Sequence, residues 1–209
     1  MFSAFHNTVV GLGAVTLALA VGGSLPAQGA YTVTFLQHGP DVVATGSGSI
    51  DLTALGPVST GSSASGQILS ISPFPFIVTT GPVPIMSVDS YTPAPGVITG
   101  PTNFGSVAGG SASSGNGDLV GINNLFGGFT LFVPVGYVSG HALSDTSTYD
   151  NATFASLGVT PGTHEWTWGT GTHADSFTLQ IGAVPEPASL SLLAMGLAGL
   201  GMVLRTRRT

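Results

Sequence analysis

The chain has 209 residues with 32 Gly, 14 Pro and no Cys, and only 6% of its residues are charged. Its nine acidic residues face three basic ones, Arg205, Arg207 and Arg208, so no Lys or Arg occurs between Met1 and Leu204. Without a basic patch nothing can hold a phosphate backbone, which excludes nucleic-acid binding; without Cys there is no disulfide, thiolate metal site or Cys nucleophile.

At the N-terminus an uncharged apolar run, Val9 to Val21, has the length of a signal-peptide core and is short for a membrane span. It leads through Gly22–Pro26 to the small-residue site Ala27-Gln28-Gly29. Cleavage after Gly29 places Ala27 at −3 and Gly29 at −1, so residues 1–29 are read as a signal peptide entering the general secretion machinery. The segment before the apolar run departs from the usual pattern in having no Lys or Arg.

Residues 30–183 form the passenger, in which period-2 patterning dominates. Tyr31, Val33 and Phe35 alternate with Thr32 and Thr34, and Val42–Thr45 leads through Gly and Ser to Ile50 and Leu52. Further short strands are expected at Gln67–Ile71, Phe76–Thr80, Pro84–Val88, Leu119–Ile122, Phe129–Val133, Thr153–Leu157, Thr163–Trp168 and Ser176–Ile181. Pro57–Gly66 and Pro93–Gly117, rich in Gly, Ser and Pro, read as loops. The fold expected is all-β, an antiparallel β-sandwich flanked by an N-terminal signal-peptide helix and a C-terminal transmembrane helix.

Chemistry-bearing residues in the passenger are few. Trp166 and Trp168 stand at i and i+2 with His164, on one face of a strand that forms a hairpin with Phe177, Leu179 and Ile181. That face is either a stacking platform for a glycan or a core wall; with no salt bridges to support the body, core is the reading favoured. Gly115–Asp118 and Asp145 with Asp150-Asn151 are oxygen-rich stretches able to hold Ca²⁺, but turn-forming side chains account for them equally well. No His pair has metal-ligand spacing and no Gly-x-Ser-x-Gly elbow occurs, so no metal, cofactor or catalytic residue is assigned and the chain is not read as an enzyme.

The C-terminus carries the most specific signal. Val184-Pro185-Glu186-Pro187 is followed by the uncharged apolar stretch Ala188–Leu204 and then by the three arginines. As a helix this stretch spans about 26 Å, enough for a thin bilayer core, and the arginines after it would remain in the cytoplasm. Pro185 and Pro187 keep the preceding segment extended and accessible. Residues 184–209 resemble the PEP-CTERM sorting signal of Gram-negative bacteria in all three parts and their order. That resemblance implies processing by exosortase, a membrane-embedded enzyme, on an inner-membrane precursor bound for the cell surface or extracellular matrix. It further implies a structural role tied to exopolysaccharide and biofilm; the alternative is a carbohydrate-binding module for a neutral matrix glycan.

Overall fold

The computed structural model describes residues 29–71, 75–125 and 127–182. Ala27, the signal helix, the sorting motif Val184–Pro187, the apolar stretch Ala188–Leu204 and the three arginines lie outside the described residues. Among the described residues the fold is β, with a single 3₁₀ turn at Gly171–His173.

Two sheets pack face to face. The first contains β1 (Ala30–His38), β2 (Asp41–Gly48), β8 (Ser114–Gly117), β11 (Leu143–Tyr149), β12 (Gly162–Trp168) and β13 (Asp175–Ile181), in the order β12-β13-β1-β2-β11-β8. The second contains β3 (Val58–Ala64), β4 (Gln67–Ser70), β5 (Phe76–Thr80), β6 (Met86–Tyr91), β7 (Ala108–Ser111), β9 (Val120–Asn123) and β10 (Thr130–Pro134), in the order β3-β6-β10-β9-β5-β4-β7. Alternation explains the packing. Tyr31, Val33 and Phe35 point inward from β1 and Phe177, Leu179 and Ile181 from β13, joining Val78, Ile122, Leu131 and Val133 of the second sheet in one core.

The antiparallel expectation needs one correction. Every neighbouring pair is antiparallel except β1 and β13, which run parallel with Ala30 opposite Ser176 and Phe35 opposite Ile181. The first and last strands of the passenger therefore lie side by side in mid-sheet. Because they run in the same direction, Gly29 and Gly182 stand at opposite ends of the sandwich, about 20 Å apart at the rise of a β-strand.

Three stretches depart from the expected elements. Pro57–Gly66 contains β3 instead of a loop, an edge strand whose hydroxyl-rich side chains are mostly exposed and whose pairing with β6 shifts between Ser59 and Ser62. Such a bulge blunts an open edge in a body that has no Lys to do so. Pro93–Gly117 contains β7 and β8, which carry the chain from one sheet to the other: Ala112 N donates to Gly66 O at 3.0 Å and Ser113 N to Thr148 O at 2.7 Å. Glycine here marks close strand approach, since a Cβ on Gly109 would meet Ile68 O at 2.5 Å and one on Gly115 would meet Gly81 O at 2.1 Å. Thr153–Leu157, expected as a strand, is a helical turn. Leu157 N reaches Thr153 O at 3.0 Å while Thr153 and Ser156 cap each other's backbone N–H through their hydroxyls, at 2.8 and 3.1 Å; these local bonds outcompete a ladder.

Two smaller differences concern β2 and β11. β2 ends at Gly48, and Ile50 and Leu52 are buried in the segment that follows it. β11 was not expected, because its inward positions Leu143, Asp145, Ser147 and Tyr149 mix polar with apolar residues.

Candidate functional site

The expected hairpin β12/β13 is present, with Trp166 opposite Phe177 and Trp168 opposite Asp175. Its two indoles are inside. Trp166 is fully buried, its ring centroid 5.1 Å from that of Phe76 and 5.9 Å from that of Phe177, and its Nε1 donates to Pro101 O at 2.9 Å. Trp168 is 3% exposed and donates from Nε1 to Asp51 O at 2.9 Å. Neither ring presents a face to solvent, so the glycan-platform reading of Trp166 and Trp168 gives way to the core reading. The strand edge beside them is covered, since Thr99 and Thr167 exchange backbone hydrogen bonds of 2.9 and 2.8 Å.

The oxygen-rich stretches are likewise structural. Gly115–Gly117 belongs to β8 and Asp145 to β11, so neither forms the expected loop. Asn116 Oδ1 accepts from Thr146 Oγ1 at 3.2 Å and Asp118 Oδ2 from Ser144 N at 2.9 Å. Asp145 is buried and its Oδ2 accepts a short hydrogen bond from the Tyr31 hydroxyl. Burial raises the Asp145 carboxyl to about 6 and pushes the Tyr31 hydroxyl far above its usual range. Among the described residues no group of three or more His, Asp or Glu gathers around a common point.

The polar features concentrate at the end of the sandwich where β1 begins, opposite the end from which the C-terminal tail departs. There Asp51 is the hub. Its Oδ1 accepts from Thr53 N at 2.9 Å and from Ser139 Oγ at 3.0 Å, and its Oδ2 pairs with His173 Nδ1 at 2.9 Å. Hydrogen bonds from Thr53, then His173 and Ser139, hold its carboxyl well below the usual range. The Asp51 N–H donates in turn to Asp175 Oδ2, and Ser176 N donates to Asp175 Oδ1 at 2.6 Å. Asp175 has little solvent, and burial raises its carboxyl to about 6. Ser139 also accepts from Leu52 N at 2.8 Å, so its hydroxyl is spent on the loop and on Asp51, and neither bond is to a histidine.

Beside this hub opens a cleft of about 540 Å³, lined by Thr53, Thr99, Thr167, Trp168, Thr170 and His173 among others. His173 is the one ionisable side chain lining it. Sequence reasoning missed this site. Asp51, Ser139, His173 and Asp175 are spread over 125 positions, and no local spacing signals their convergence.

These observations define a two-sheet β passenger with its first and last strands paired and its tail leaving immediately after β13, where Gly182 N bonds Phe35 O at 2.9 Å. Residues 183–208 match the family model described as the PEP-CTERM protein-sorting motif. That motif implies an exported, membrane-transiting precursor, processed by exosortase and sorted to the cell surface. No curated protein and no solved structure matches the chain.

Proposed function

We propose that the chain is a structural, non-catalytic protein of the cell envelope or extracellular matrix, linked to exopolysaccharide and biofilm. It is exported through the general secretion machinery and held in the inner membrane by Ala188–Leu204. Exosortase then releases or transfers it by cutting near Pro185–Pro187. The sorting-motif match over 183–208 carries this reading. The fold supports it: β13 ends at Ile181, so a cut at Pro185–Pro187 removes no strand of the sandwich. A reporter fused after Thr209 is expected to be active only in the cytoplasm, and the passenger should leave the membrane fraction only in cells that contain exosortase. Periplasmic activity of the fusion, or identical fractionation with and without exosortase, would contradict the reading.

The cleft beside His173 favours a second reading, a binding site for a neutral glycan. Threonine hydroxyls and glycine backbone suit a polyhydroxyl ligand, and a net charge of −6 disfavours anionic polymers. Titration with neutral oligosaccharides should then shift the NMR signals of Thr99, Thr170 and His173. Unchanged signals at millimolar ligand would dismiss this alternative.

A further inference from the structure

The first residue described, Gly29, is wedged against a carboxylate. A Cβ built on it would lie 2.7 Å from Asp175 Oδ2 and 3.1 Å from Asp51 N. The next residue, Ala30, opens β1 and stands opposite Ser176, the neighbour of Asp175 in β13. The parallel pairing of β1 with β13 thus brings the start of the passenger to the Asp175 side chain. Asp175 is 6% exposed, and its two oxygens accept backbone N–H groups from Asp51 and Ser176. The other ionisable groups facing this corner are Asp51, His173 and Tyr137. No Lys or Arg precedes Arg205, so no side chain of the passenger apart from a histidine can supply a positive charge.

Removal of the signal peptide supplies one. Hydrolysis of the Gly29–Ala30 bond adds water: the hydroxyl goes to the Gly29 carbonyl carbon and a proton to the Ala30 nitrogen. That nitrogen, until then a neutral amide, becomes an amine and takes up a further proton at neutral pH. We propose that the buried Asp175, with Asp51 behind it, is a binding site for a primary ammonium whose ligand is the α-ammonium formed on Ala30 when the signal peptide is removed. The inference rests on the signal-peptide part of the proposed function. The Ala30 nitrogen is bonded directly to the Gly29 carbonyl carbon, beside the position where a Cβ would stand 2.7 Å from Asp175 Oδ2. An opposite charge within about 4–6 Å pulls a carboxyl down and an amine up by one or more units. The precursor lacks this contact, so the exported chain gains a stabilising ion pair at the step that removes its signal peptide.

The absence of Lys gives a clean test. Amine-selective acetylation of the exported, processed protein can modify only the α-amine. The α-amine is expected to titrate about one unit or more above the ordinary 7.7–8.0. Acetylation should lower Tm by several degrees at pH 7, an effect that shrinks as falling pH protonates Asp175. In Asp175→Asn the amine should titrate normally and acetylation should leave Tm unchanged. If that variant does not fold, acetylation of the native chain still decides. An ordinary amine pKa together with an unchanged Tm after acetylation would overturn the pair alone. Intact mass separates the two failures: an exported chain that retains residues 1–29, or starts well away from Ala30, overturns the signal-peptide reading and the pair with it.

Discussion

Acidification from about pH 7.5 to pH 5 is expected to stabilise the processed protein, the reverse of ordinary acid denaturation. The group responsible is Asp145, whose carboxyl titrates at about 6 in the fold against 3.8 in the unfolded chain. Between those values the folded state holds a proton that the unfolded state has released. The contribution of Asp145 is therefore full below the unfolded value and is lost as pH rises through 6. By pH 5 about one unit of that contribution is realised, roughly 1.4 kcal/mol, or a Tm rise of about 3–5 °C for a domain of this size. His164 acts in the opposite sense, since burial lowers its pKa and protonation below its usual value favours unfolding; it is the less buried group, and Asp145 decides the sign. Asp51, held low, matters only in stronger acid. Burial raises Asp175 to about 6 as well, but in the processed chain the proposed pair with the Ala30 ammonium draws it back down, which leaves Asp145 as the group that sets the slope. Thermal melts across this range test the expectation, and Asp145→Asn should flatten the profile. A Tm that falls steadily from pH 7.5 to 5 would show that Asp145 does not carry the effect.

Trp166→Ala is expected to destabilise the fold by about 3–5 kcal/mol, the range for truncating a buried large aromatic. Trp166 lies among Phe76, Phe104 and Phe177. The change also strands the Pro101 carbonyl that Nε1 serves. Whole domains of this size are stable by only about 5–15 kcal/mol, and this one has no disulfide in reserve. Chemical denaturation should show the midpoint falling sharply while Glu165→Ala, on the exposed side of the same strand, stays within about 0.5 kcal/mol. Equal, small effects of the two changes would place Trp166 outside the core and revive the stacking platform.

Much of this was legible in the sequence where alternation pairs apolar with polar residues. The inward faces of β1, β12 and β13 follow directly from Tyr31-Val33-Phe35, Trp166-Trp168 and Phe177-Leu179-Ile181. Legibility failed where the inner face is polar or lacks a side chain. β11 buries Asp145 and Ser147, and Ser147 Oγ donates to Gly81 O at 3.0 Å, so its alternation is hidden from a hydrophobicity reading. At Gly109 of β7 and at Gly115 and Gly117 of β8 neighbouring strands leave no room for a Cβ, and the same Gly- and Ser-rich stretches read as loop signals. At Thr153–Leu157 side-chain capping overrode an alternating pattern. The Asp51 hub and the parallel β1/β13 pair are long-range outcomes of topology, and no local pattern encodes them. The sorting tail was the reverse case, legible from its residues alone because its message is a linear motif.

Intact mass of the exported protein tests the central claim most directly. Cells that contain exosortase should yield a chain that starts at Ala30 and ends near Pro185–Pro187, lacking all three arginines. Such a chain has no Lys or Arg, so trypsin should leave it whole even after full denaturation. A mass that still includes Arg207-Arg208-Thr209 in those cells would contradict the account and make the tail a permanent membrane anchor.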